Sequence, residues 1–298
     1  MSRTASLALL LAASGLVACG NAAPISTGTG PSDLPAGSTP KAPGGGGDSP
    51  AGDADGSAPN SGDSPAPGSG TGPGGGTAPA PTAGRAPAGS LDAACTPQLV
   101  VRNDDAAGNG RLFTNALPDP NATLSKVTRT DCEVLYRNAG EVPNRPTLTL
   151  IIENTDGVAF TVVDEVHLSS RFLADVAGNN GDLTDEISGV LTHEIAHVYQ
   201  NDNGNYGEIT WLVEGIADFV RYRNGFVPLS KRQHGGSYTD SYNTTAFFLD
   251  YLDRTYPDFV YKLNAALAPP DKSWTKAYFQ TVTGKDVDTL WAEYQRSF

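Results

Sequence analysis

Across about a quarter of the chain there is not one aromatic residue. From Gly20 to Ala93 no Phe, Tyr or Trp occurs, while 19 Gly and 13 Pro fall among the 74 positions. Such a segment cannot bury enough apolar surface to offset the entropy of ordering its backbone, so no core is expected in it. It also lacks a period, which excludes a collagen-like or repeat array. Basic residues are scarce throughout: 20 Lys and Arg against 33 Asp and Glu give a formal net charge of -13. Without a Lys/Arg cluster to contact phosphates, no nucleic-acid partner is expected. No apolar run is long enough to span a bilayer, and there are only three cysteines.

What is present divides the chain in three. Arg3 followed by the apolar stretch Leu7 to Val17 reads as an export signal. Leu16-Val17-Ala18-Cys19 resembles the bacterial lipoprotein box, which implies a signal peptide over 1–18, cleavage before Cys19 and lipidation of its thiol. An ordinary signal cleaved near Ala18 or Ala23 is the alternative. Residues 19–93 are expected to be a lipid-anchored, disordered Gly/Pro/Ser/Ala-rich linker, whose 74 residues from Gly20 to Ala93 span roughly 45–50 Å as a flexible coil. Residues 94–298 hold every aromatic residue and all four His, and form the one expected globular domain. The chain is thus expected to be exported and lipid-anchored to a bacterial cell envelope, at the outer membrane or cell surface, or released from it. Contact with the membrane is expected only through the N-terminal lipid, and the domain is expected to be monomeric. With Cys19 lipidated, Cys95 and Cys132 are an even pair in an oxidising compartment, and a disulfide is expected, two buried thiols being the alternative.

Within the domain, Gln98 to Arg102, Thr147 to Glu153, Gly157 to Asp164 and Val166 to Ser169 are short, β-branched and bounded by turn residues, and are expected as strands. From Asp182 the apolar spacing becomes helical, with Thr184 or Asp185 as candidate N-cap. Further helices are expected over Ile209 to Arg223, Tyr242 to Thr255 and Val287 to Gln295, with fragments between Pro257 and Leu267 and between Ser273 and Val282. Strands first and helices after predict an α+β domain, an N-terminal mixed or antiparallel sheet followed by a helical half.

The chemistry sits at the start of that helical half. His193-Glu194-Ile195-Ala196-His197 puts two imidazoles at i and i+4, on one helix face, where both reach one metal ion. Glu194 lies beside that ion and suits a general base. A catalytic zinc site takes three protein ligands, and Glu214, seventeen positions after His197 on the next helix, is the candidate third. Asp218 follows one helical turn after Glu214 and is the candidate partner for the second ring nitrogen of a ligating His, His193 first. The expected cofactor is one Zn2+ per chain, and the expected chemistry is hydrolysis of a peptide or protein substrate. A non-catalytic cell-surface binding module, and a metallohydrolase of a muropeptide or other non-peptide bond, stay open as alternatives.

His193 to Gln200 (HEIAHVYQ), Glu214 to Val220 (EGIADFV), Tyr242 to Tyr251 (YNTTAFFLDY) and Gly284 to Trp291 resemble the basic secretory protein family of plant and bacterial zinc peptidases. The likeness runs from about Thr147 to the C-terminus, although this chain is acidic. The Glu-x-x-x-Asp segment is also similar to that of gluzincin peptidases, whose glutamate is the third zinc ligand, so the resemblance implies a zincin-like domain with Glu214 in that place. The metzincin extension is absent, since Gln200 and Asn203 stand where it needs Gly and His.

A tetrahedral oxyanion needs a donor besides the metal. Tyr242, at the start of its helix, is the first candidate; Tyr238 and His234 are the others. Val166 to Ser170 is expected to be a sheet edge against which an extended substrate pairs, and His167 in it is expected to be a strand side chain.

Overall fold

The computed structural model describes residues 17–18 and 89–298. The expected signal peptide and linker lie outside the described residues, apart from Val17, Ala18 and 89–93. In chain order the elements are β1 (Val17–Ala18), α1 (Leu91–Ala94), β2 (Gln98–Asn103), α2 (Gly110–Ala116), α3 (Pro120–Leu135), β3 (Thr147–Glu153), β4 (Ala159–Val162), β5 (Glu165–Ser169), α4 (Ser170–Gly178), α5 (Leu183–Tyr199), α6 (Tyr206–Arg223), α7 (Tyr242–Thr255), α8 (Phe259–Ala266), α9 (Ala277–Thr283) and α10 (Val287–Gln295). The fold is α+β, and no helix among the described residues is long and apolar enough to cross a membrane.

The sheet is mixed, in the order β1-β4-β5-β3-β2. β3 runs parallel to both β2 and β5, with Leu150 opposite Val101 and Val166, and Leu148, Leu150 and Ile152 are fully buried. A central strand is covered on both faces, which is why Leu150, Ile151 and Ile152 are buried in succession. β4 folds back antiparallel on β5 through Val163 and Asp164, and Val163 takes a left-handed φ of 58°. β5 is therefore interior to the sheet, not an edge as expected. Its partners on both sides follow from the two-residue β4–β5 turn, which lays β4 outside it. β4 lies between β5 and the two-residue β1, which pairs antiparallel with it, Val17 opposite Thr161.

The four expected strands are all present, but strands and helices are not segregated: α2 and α3 lie between β2 and β3, and α4 follows β5 directly. In α3 the inward face carries the buried polar residues Thr128 and Asp131 among Leu124, Val127, Cys132 and Leu135, which hides the apolar stripe from a hydrophobicity reading. The folded part also begins ahead of Ala94, because Ser90 caps α1 and Leu91 packs against the core.

α5 is the centre of the domain, packed against β4 and β5 on one side and against α3 and α6 on others. Its N-cap is Asp182, whose carboxylate accepts from the Thr184 and Asp185 N–H groups; Thr184 and Asp185 are already inside the first turn. α6 starts one turn earlier than expected, across a kink at Ile209. It packs closely on α7: a Cβ on Gly215 would lie 2.2 Å from a Thr245 side-chain carbon, so only glycine allows that approach.

A disulfide joins Cys95, after α1, to Cys132 on α3, with the Cα atoms 6.1 Å apart. It closes a span of 37 residues, for which loop entropy gives about 3–4 kcal/mol. Replacing both cysteines by alanine is expected to lower the unfolding free energy by that amount in a denaturant titration; an unchanged midpoint would show that the staple is idle.

Asp131 supplies a second test. It is fully buried; Oδ1 accepts from the Asn224 amide at 3.2 Å, and Oδ2 has no partner among the described residues. Burial pushes its carboxyl well above the usual 3.8, against a smaller opposing effect of His193. Between the unfolded and the folded pKa the native chain holds one proton more than the unfolded chain, so stability falls as pH rises from about 4 through that folded value. In Asp131→Asn that fall should disappear, seen as a flatter denaturation midpoint against pH; an unchanged slope would contradict it.

Candidate metal centre

The helical repeat of α5 sets His193 and His197 one turn apart, with Nε2 atoms 3.1 Å from each other and rings nearly perpendicular. α6 brings Glu214 to them, its Oε2 3.2 Å from His193 Nε2 and 3.6 Å from His197 Nε2. Donors about 2.0–2.1 Å from a tetrahedral centre stand about 3.3 Å apart, so the triangle has the dimensions of a ligand set. Burial alone would raise the Glu214 carboxyl, but the hydrogen bonds and charge of both histidines hold it well below the usual range.

The surrounding hydrogen bonds decide which atoms face the centre. His193 Nδ1 is 2.8 Å from Asp218 Oδ1. A carboxylate only accepts, so Nδ1 donates to Asp218, and in the neutral ring this leaves a lone pair on Nε2. His197 Nδ1 is 2.5 Å from Gln200 Nε2, while Gln200 Oε1 is buried without a partner among the described residues. Turned by half a rotation, that amide would accept a proton from Nδ1 and satisfy its own oxygen, and in the neutral ring His197 Nε2 would then keep its lone pair. Tyr206 donates to Glu214 Oε1 at 2.8 Å, so Oε2 is the oxygen directed at the histidines. Two imidazole nitrogens and one carboxylate oxygen are a donor set that suits a divalent metal such as zinc.

Glu194 is 1% exposed, and Thr161 of β4 donates to its Oε2 at 2.7 Å. Tyr242 lies nearly parallel to His193, ring centroids 6.0 Å apart. It gets there through two successive left-handed residues, Ser241 at φ 64° and Tyr242 at φ 44°. The other two oxyanion candidates are elsewhere: Tyr238 is buried among Trp211, Phe248 and Trp291, and His234 packs edge-on against Phe298. His167 pairs with Glu153 at 2.8 Å and stacks on Phe160.

Thr161, Gln200 and Tyr206 escaped the sequence reading. Gln200 had a signal, three residues after His197 on the same face; Tyr206 lay beyond the expected start of α6. Thr161 lies 33 positions before Glu194, and only strand placement brings them together.

A family model described as BSP, peptidase of plants and bacteria, matches residues 97–294. The chain belongs to the BSP family. That match covers the domain from the start of β2 into α10, and so includes the triad, Glu194 and Asp218. No curated protein and no solved structure matches.

Since Asp218 orients His193 from behind, Asp218→Asn is expected to weaken divalent-metal binding about 10- to 100-fold. Competition against a chromogenic chelator measures this; wild-type affinity in the variant would show that Asp218 is not the orienting group.

Proposed function

We propose that this chain is a zinc-dependent peptidase with a zincin-like, gluzincin-type site, exported and tethered through lipidated Cys19 on the linker of residues 19–93. The observation that carries the reading is the convergence of His193, His197 and Glu214 donor atoms within 4.8 Å of one another beside a buried glutamate that is not one of them. A purely structural metal site has no use for such a base. The disulfide supports an oxidising compartment.

His193, His197 and Glu214 would hold the ion. When bound, zinc supplies Lewis acidity toward a carbonyl and lowers the pKa of water. The chain's own residues do the rest. Glu194 takes a proton from the attacking water and passes it to the leaving nitrogen as the carbon–nitrogen bond breaks, leaving a carboxylate and an amine. Thr161 fixes the Glu194 carboxylate by its hydrogen bond. Tyr242, held beside His193, is the group assigned to donate to the oxyanion. An extended substrate is read as aligning along β4, the strand that carries Thr161; the antiparallel seating of Val17–Ala18 on the same strand supports this.

Glu194→Gln preserves shape and removes the base. It is expected to retain stoichiometric zinc and lose about 10²- to 10⁴-fold in turnover of casein or gelatin, and chelation should abolish the wild-type activity. Zinc-loaded wild type that cleaves nothing across broad peptide libraries would sink the reading.

A further inference from the structure

Beside His197 the structure forms a cleft of ≈ 320 Å³, bordered by Thr161, Gln200, Asp202, Tyr206 and Arg145. Arg145 enters from the loop before β3. Pro146 after it keeps its backbone extended, and the Pro146 carbonyl is tied to the Gln98 N–H at 2.9 Å. Its Nε donates to the Val198 carbonyl at 2.9 Å, in the last turn of α5. That bond fixes the plane of the guanidinium. Its Nη atoms have no hydrogen bond or ion pair to another described residue, although acids outnumber bases in the chain. Asp202 borders the same cleft, but its Oδ1 accepts from the Gly204 N–H at 2.8 Å and it forms no ion pair with Arg145.

A half-buried guanidinium, oriented by one edge and open along the other, is shaped for two parallel hydrogen bonds to a carboxylate. Resting on the peptidase reading above, we infer that Arg145 determines specificity by receiving a carboxylate of the peptide in this cleft. That carboxylate belongs either to an Asp or Glu side chain or to the C-terminus of the peptide, and the two sources imply endopeptidase or carboxypeptidase action. A role confined to holding the end of α5 would make no distinction between peptides.

The test uses the zinc-loaded full chain and a matched peptide series with Glu, Gln or Lys at one varied position, each with a free or amidated C-terminus. Cleavage is measured with wild type, and binding by fluorescence polarisation with Glu194→Gln, each with and without Arg145→Gln. The expected result is at least tenfold tighter binding and higher kcat/KM for Glu over Lys, or for free over amidated termini, largely lost in Arg145→Gln. Asp202→Asn, which leaves the Arg145 anchor intact, should strengthen the preference. A preference for Glu in amidated peptides assigns the side chain; a preference only for free termini assigns the chain end. Cleavage without any charge preference, or equal loss for all peptides in Arg145→Gln, overturns the inference while the peptidase reading stands. Arg145-dependent binding without cleavage overturns the peptidase reading instead, and charge-blind binding without cleavage overturns both.

Discussion

With both rings neutral and their Nδ1 atoms protonated, two imidazole nitrogens and a carboxylate oxygen present lone pairs within 4.8 Å of one another and repel unless something positive lies between them. The hydrogen bonds around the triad orient these donors: Asp218 accepts from His193 at Nδ1, Gln200 faces His197 at Nδ1, and Tyr206 occupies the second oxygen of Glu214. The rest of the domain can be read as a frame that holds these donors in a geometry suited to a cation.

That frame costs backbone freedom at particular places. α6 and α7 approach so closely that Gly215, next to Glu214, leaves no room for a side chain beside Thr245. At the near end of α7, Ser241 and Tyr242 both adopt left-handed conformations, which disfavour side chains with a Cβ. Strain of this kind persists only where surrounding packing over-determines it. Here its effect is to bring the Tyr242 ring alongside His193. On the other side of α5, β4 brings Thr161 to Glu194, so the proposed base is held from the sheet and the triad from the helices.

The centre was legible because its residues lie on helices whose repeat can be read from spacing. His193 and His197 share a face at i and i+4, and Glu214 and Asp218 do the same on α6, so spacing alone places four side chains. What joined them across the chain was less visible. Thr161 comes from a strand whose sheet order is set by a two-residue turn, and the same turn moved β5 from the edge to the interior. Among the helices, α7 and α10 have the expected bounds; in α7 the apolar run Ala246 to Leu249 outweighs the buried Thr245 and Asp250. α3 is not legible in the sequence, because Thr128 and Asp131 sit in its buried face. Such buried polar positions are costly, and in α3 they carry hydrogen bonds to the Leu124 carbonyl and the Asn224 amide.

The buried charges point to the class of ion that fits. Glu194, Glu214 and Asp218 are each at most 2% exposed, and Arg221 has a nitrogen 4.0 Å from Asp218 Oδ1. Uncompensated charge is expensive in such a region of low dielectric. A cation among the three donor atoms would offset carboxylate charge there, and two imidazole nitrogens with one carboxylate oxygen suit a borderline divalent metal better than magnesium or calcium, which favour all-oxygen sites.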